Sequence, residues 1–241
     1  MKEVSVLKVR VKFSKEGAVK FIGHLDVMRY FQKAIRRAGI DVAYSEGFSP
    51  HMIMSFAAPL GVGVTSTGEY FDMELKSAVS SRQMEDAFNA QMAEGIRVLS
   101  VREIPQGKAH AAMSLVAAAD YLVSFREGKA PAAGWQDRVR QFLDQKEIVI
   151  LRKTKRSEKE TDIRPWIYQM EVRQDAIFLQ LAAGSVHNLK PELVLEAFAA
   201  FLGEELAPFA LMVHRLETYA NVGSEEERRL VPLEDLGKEI K

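Results

Sequence analysis

The chain has 241 residues, 47% of them hydrophobic and 27% charged, enough for a packed core in one large domain or two small ones. It has no cysteine, which excludes disulfides, thiolate zinc sites and cysteine-ligated iron–sulfur clusters on this chain. Lys plus Arg and Asp plus Glu both number 33, so the total charge does not speak for or against nucleic acid.

The charge distribution is more informative. Ten basic residues against three acids lie between Lys2 and Arg37, whereas acids lead nine to five from Gly203 to Lys241. No apolar run approaches the ~20 residues that span a bilayer, and Met1-Lys2-Glu3-Val4 does not open a signal-peptide core. The expectation is a cytoplasmic protein with no membrane partner.

Leu7, Val9, Val11 and Phe13 alternate with Lys8, Arg10 and Lys12, which predicts a strand with one apolar and one basic face. Gly17 marks a turn. From Leu25, at about 100° per residue, Val27, Met28, Phe31, Ala34, Ile35 and Ala38 share one helix face. Asp26, Arg29, Lys33, Arg36 and Arg37 share the other, and Gly39 suits the stop. His24 falls in the apolar sector at the first turn.

Strands follow at Met52–Phe56 and Tyr70–Leu75, then a helix at Ser80–Ala93, capped by Ser80 or Ser81, and a strand at Ile96–Ile104. The order is β-α-β-β-α-β, the ferredoxin-like pattern. Pro105–Ala119 is alanine-rich and reads as a connector.

A second run begins with a strand at Tyr121, Val123 and Phe125. A helix at Ala132–Gln145 points Trp135, Val139, Phe142 and Leu143 inward. Strands at Glu147–Leu151, Trp166–Val172 and Ile177–Leu181, a helix at Pro191–Leu202 and a strand at Phe209–Tyr219 complete it. The predicted fold class is α+β: two tandem ferredoxin-like (βαββαβ) units, the second with an added strand. Their bounds are 1–104 and 120–219, with a connector at 105–119 and a polar tail at 220–241.

The loop Tyr44-Ser45-Glu46-Gly47-Phe48-Ser49-Pro50-His51 carries the densest chemistry. Aromatics stack on bases, and serine and histidine bond phosphates or base edges. The plainer reading is an ordered loop in which Gly47 and Pro50 fix the backbone and Phe48 fills the core. Both readings stand open here. The open face of the first sheet would carry Lys8, Arg10, Lys12, Tyr70, Asp72 and Glu74, either for nucleic acid or paired across the strands. Arg152, Lys153, Lys155, Arg156, Lys159 and Arg164 form a second basic cluster around a hairpin.

Metal chemistry has little footing. His24 and Asp26 point apart on a helix, and His51, His110, His187 and His214 lack ligand spacing. Gly61-x-Gly63 does not precede a helix, and no nucleophile motif is present. No cofactor or metal is expected.

Several stretches together carry a resemblance. They are Phe21-Ile22-Gly23-His24-Leu25-Asp26, Ala34-Ile35-Arg36-Arg37-Ala38-Gly39, the loop from Tyr44 to His51, Pro59-Leu60-Gly61-Val62-Gly63 with Gly68-Glu69-Tyr70, Lys153-Thr154-Lys155 with Asp162-Ile163-Arg164-Pro165, and Asn188-Leu189-Lys190-Pro191-Glu192-Leu193-Val194-Leu195. From about Val6 to Tyr219 the chain resembles the radical-SAM-linked, or radical-SAM-associated, protein family built on a domain of unknown function. The resemblance implies a bacterial cytosolic protein partnered with a radical-SAM protein, and it brings no catalytic residues. One departure is Met52, where the family's loop histidine is often followed by proline. A weaker, architectural resemblance is to the CRISPR-RNA-processing endoribonucleases, which carry a histidine on the first helix of tandem ferredoxin-like units; their glycine-rich loop is not evident here.

Without cysteine the chain is not the cluster-bearing half of such a system. The leading expectation is a non-catalytic accessory protein that presents or binds RNA. Its site residues are His24, Asp26, Arg29, Lys33, Arg36, Arg37, Tyr44, Ser45, Gly47, Phe48, Pro50 and His51, with Lys153, Lys155 and Arg164 from the second cluster. The alternatives are a metal-independent endoribonuclease using His24 or His51 as acid or base, and a purely protein-binding adaptor.

Overall fold

A computed structural model describes residues 6–77, 79–152 and 158–241, and Lys153 by its backbone alone. The predicted Lys153 side chain and Lys155 lie outside the described residues.

In chain order the regular elements are β1 (Leu7–Lys15), α1 (His24–Arg37), β2 (Met54–Phe56), β3 (Thr65–Leu75), α2 (Ser81–Asn89), β4 (Ile96–Glu103) and α3 (Ala112–Leu115). Then follow β5 (Val116–Phe125), α4 (Trp135–Leu143), β6 (Val149–Lys153), β7 (Glu158–Asp162), β8 (Ile167–Arg173), β9 (Ala176–Ala182), α5 (Pro191–Phe201), β10 (Leu211–Asn221) and β11 (Leu230–Pro232). The protein is mixed α+β. No helix among the described residues is long and apolar enough to cross a membrane.

The chain divides into two compact units, one of residues 1–117 with 217–241 and one of residues 118–216. In the first, β1 lies antiparallel between β4 and β3, and β2 pairs with β3. The alternation predicted for β1 holds: Val9, Val11 and Phe13 are fully buried. They meet Val27, Phe31 and Ile35 of α1 and Phe71, Met73 and Leu75 of β3. Phe31 is central, with ring centroids 4.7 Å from Phe13 and 4.8 Å from Phe71. Each such side chain contributes about 1.5–3 kcal/mol by burial. Ser80 caps α2 in a reciprocal box with Gln83. Gly95, at φ 90°, ends the turn after α2 against the Glu16 carbonyl, where any Cβ would lie 2.6 Å from that oxygen.

The other face of this sheet is not open, contrary to one of the sequence expectations. Residues 108–115 and 230–236 cover it, and Arg10 and Asp72 are each 1% exposed. The predicted cross-strand pairing holds in register, Lys8 opposite Glu74 and Arg10 opposite Asp72. The chain end is therefore not a loose polar tail. Val231 sits opposite Ala220 in the β10–β11 pair, and Leu233 is fully buried. Leu233 supplies an apolar contact for this segment, and Glu234 beside it meets Lys12 of the basic strand face.

In the second unit the order is β10-β5-β9-β8, antiparallel where β9 meets β5 and β8. Trp135, Val139 and Phe142 of α4 and Val194, Leu195 and Phe198 of α5 are buried, with Phe142 and Phe198 rings 5.2 Å apart. The expected added strand is a two-stranded hairpin, β6 with β7. The alanines read as connector begin β5, where Ala118 and Ala119 are fully buried.

Candidate functional site

The loop 44–51 stands on a fixed base. Tyr44 bridges Met52, and the Ser45 amide donates to the His51 carbonyl at 2.9 Å. Ser45 Oγ lies 2.8 Å from His51 Nδ1 and accepts from the His51 amide at 3.1 Å. Gly47 takes φ 105°, a conformation that side chains disfavour. The result is a tied loop whose tip is Phe48, 111% exposed. Phe48 therefore does not fill the core. Tyr44 is 37% exposed and Pro50 is exposed. A fixed loop holding an aromatic ring in water presents a surface for stacking or docking.

α1 leads through Gly39 into this loop. Its inner face buries Val27, Phe31, Ala34 and Ile35, as its periodicity predicts. On the outer face Asp26 and Arg29 form an exposed pair at 3.5 Å. Arg37 donates to the Gln91 carbonyl at 3.1 Å and to its side chain at 3.3 Å. Lys33 and Arg36 are exposed and bond no partner among the described residues. Among the described residues of the α1 outer face, these two cations are left to meet an anion.

His24 begins α1 and packs its ring edge-on against Phe56, centroids 5.0 Å apart. No bond joins it to the loop 44–51 among the described residues. It lines a cavity of about 10 Å³ with Phe13, Lys15, Val27, Phe56, Pro59, Leu60 and Glu69, room for one water at most. Lys15 and Glu69 are 2% and 5% exposed. Lys15 Nζ donates to the carbonyls of Ile22 at 2.9 Å and Lys20 at 3.3 Å, so it fixes the turn that enters α1. Burial pulls its ammonium below the ordinary lysine range, against the opposing pull of Glu69. Sequence reasoning did not single out this pair. The signal was present: Lys15 continues the inward phase of Val9, Val11 and Phe13, and Glu69 that of Phe71, Met73 and Leu75.

On the covered sheet face Lys12 Nζ donates to Glu217 and Glu234, each at 2.5 Å. Tyr70 donates its hydroxyl to Glu217 at 2.7 Å, and Ser100 donates to Glu234 at 2.6 Å. Burial, and then Glu217, push the Tyr70 phenol far above its ordinary range. This face is occupied by the chain itself.

In the second unit Arg164 is turned to the fold. It donates to the carbonyls of Leu143 at 2.7 Å and Ile167 at 3.0 Å, so it serves structure rather than a ligand. Arg152 lies over the Trp166 ring. In the hairpin register Lys153 stands opposite Glu158, Arg152 opposite Lys159 and Leu151 opposite Glu160. No metal-holding cluster of His, Cys, Asp or Glu occurs among the described residues.

A bacterial family described as "Uncharacterized protein conserved in bacteria (DUF2344)" matches residues 8–191. No curated protein matches the chain. Among solved structures, a chain of a Cbf5-Nop10-Gar1 complex is similar over 87% of this chain, at 11% identity and a TM-score of 0.44. This chain spans about half, 48%, of that one. An unknown protein from Galdieria sulphuraria is similar over 89% of this chain and 99% of its own, at 11% identity and a TM-score of 0.26. At such TM-scores neither likeness identifies a shared fold or function.

Proposed function

The chain belongs to the bacterial DUF2344 family, and on that footing we propose that it is a non-catalytic accessory protein that binds single-stranded RNA through the loop 44–51 and the outer face of α1. Phe48 carries this reading: a tied loop holds its ring wholly in water. Base stacking on an exposed aromatic is worth about 1–3 kcal/mol per base and tolerates any sequence. Tyr44 adds a second ring, and Lys33 and Arg36 add cations with no partner among the described residues. Those cations favour a polyanion over a neutral protein surface. The covered sheet face is not part of the site, which leaves the loop and helix as the binding edge.

The radical-SAM partnership belongs to this proposal. Its support is the resemblance of the six motif stretches; with no cysteine on this chain, the cluster of such a system would sit on a separate protein. A cytoplasmic setting goes with it. We further read both units as ferredoxin-like; the support is the strand orders β4-β1-β3-β2 and β10-β5-β9-β8, with the β6–β7 hairpin inserted in the second. An endoribonuclease using His24 has less support, because that ring packs on Phe56 beside a cavity with room for one water.

The test is titration of the full chain with a fluorescent single-stranded RNA over a series of salt concentrations. Binding that weakens log-linearly as salt rises is expected. Absence of binding at low salt overturns the RNA reading and leaves the protein adaptor. Co-purification with the cell's radical-SAM proteins tests the partnership separately.

A further inference from the structure

The second unit carries a groove of about 410 Å³ between α5 and the residues that lead from α4 into β6. One wall is Leu193, Ala197, Ala200 and Phe201 of α5; the other is Ile148, Val149, Ile150 and Leu151. Val149 and Leu151 are 53% and 52% exposed, so much of this wall is apolar surface left to water. Two carboxylates, Glu147 and Glu196, stand at this apolar surface. Both are exposed, and neither has a hydrogen-bond or ion-pair partner among the described residues. Among the described residues no lysine or arginine lines the groove. Of the neighbouring cations, Arg138 lies over the Phe201 ring and is bonded to Gln141 at 2.7 Å, Arg152 lies over the Trp166 ring, and Lys146 is exposed next to Glu147 in the chain.

We propose that this groove binds a small alkyl cation, a ligand with a primary ammonium or guanidinium on an unbranched apolar stem. The volume lies in the range of small-molecule sites, about 300–1,000 Å³, and such sites combine apolar walls with a few placed polar groups. The stem lies on Val149, Leu151, Ala197 and Phe201, and the charged head meets Glu196 and Glu147. The two carboxylates attract a cationic head and repel an anionic one, while the apolar walls take the stem. Partial burial, and then the neighbouring Glu192, push the Glu196 carboxyl above its ordinary range, a bias that a bound cation opposes. The inference is independent of the RNA reading, since it concerns another unit and the opposite charge.

The experiment titrates the full chain with n-octylamine, octanol and octanoate and follows amide shifts by NMR. Octylamine is expected to bind tightest and to move the amides of Val149, Leu151 and Ala200, with octanoate weakest. E196Q, an exposed change that leaves the fold intact, lowers octylamine affinity several-fold and leaves octanol unchanged. A200W fills the groove and abolishes both. Equal binding of the three probes, octylamine shifts elsewhere on the chain, no octylamine shifts at all, or unchanged octylamine affinity in E196Q overturns the proposal.

Discussion

Asp72 grips Arg10 in a two-pronged fork, Nε to Oδ1 at 2.8 Å and Nη2 to Oδ2 at 3.1 Å, with both side chains 1% exposed. The other donors of Arg10 reach the carbonyls of Leu233 at 2.9 Å and His110 at 2.8 Å. Asp72 also accepts from the Ala112 amide at 2.7 Å. One ion pair thus pins residues 108–115 and the chain end onto the β1–β3 surface. Removing one member leaves a buried charge unpaired, which typically costs about 3–5 kcal/mol. Asp72→Ala is expected to lose that much in urea unfolding. Arg10→Met with Asp72→Leu recovers much of the loss, because no charge is then stranded. A single substitution with less than about 1 kcal/mol effect would show that the pair does not hold these segments.

Glu234 gives the chain end a pH signature. Burial opposes its charge, but hydrogen bonds from Lys12 and Ser100 outweigh burial and hold its carboxyl below the ordinary 4.5. Its folded value is depressed, so its contribution is present above 4.5 and fades as pH falls through the lowered value. Lys12 runs the other way. Burial opposes its charge too, but Glu217 and Glu234 lift it above 10.5. Its contribution is present below 10.5 and fades as pH rises through the raised value. Urea midpoints of Glu234→Gln and Lys12→Met should therefore differ from the parent least at acid and at alkaline extremes respectively. Parallel profiles at all pH would remove the network from the stability of this segment.

Much of the first unit was readable because its signals are local. Period-two alternation placed β1, and a helical stripe placed Val27, Phe31, Ala34 and Ile35 of α1. What covers the sheet was not readable, since Leu233 and Ala112 reach Arg10 and Asp72 from far along the chain. A run such as Leu230-Val231-Pro232-Leu233 among acids does not announce its docking surface. Ala118 and Ala119 misled for a related reason: alanine favours helix locally, and burial against the sheet overrides it. At the candidate site the loop's residue types were legible, but the direction of Phe48 was not. Phe48 lies in a loop and Phe56 in β2, and residue type alone does not say which ring meets water and which is buried.

Lys15 and Lys12 offer a contrast on one strand. Burial lowers the Lys15 pKa, so between that value and 10.5 the unfolded chain binds more protons than the folded one. Stability due to Lys15 therefore rises with pH across this window, the opposite of Lys12. Lys15→Met should abolish the rise. It should also free the carbonyls of Lys20 and Ile22 and speed hydrogen exchange at Gly23 and His24. An unchanged pH slope would mean that Lys15 is not desolvated in solution, and unchanged exchange that it does not fix the turn.

Phe48 and Arg36 separate the two kinds of contact that RNA binding needs. Phe48 packs on nothing, so Phe48→Ala should leave thermal stability within about 0.5 kcal/mol of the parent. It should weaken RNA binding by about 1–3 kcal/mol with the salt slope retained, because stacking releases no counterions. Arg36→Ala should do the reverse: a smaller loss at moderate salt and a slope shallower by about one. Arg164→Ala serves as the contrast, since its bonds run to Leu143 and Ile167; it should lower stability and leave RNA affinity alone. Filter binding with one labelled oligonucleotide at several salt concentrations reads all three. If Phe48→Ala binds as the parent does while Arg36→Ala fails, the loop is not a stacking platform and only the charge of α1 is in play. If neither changes binding, the site lies elsewhere on the chain.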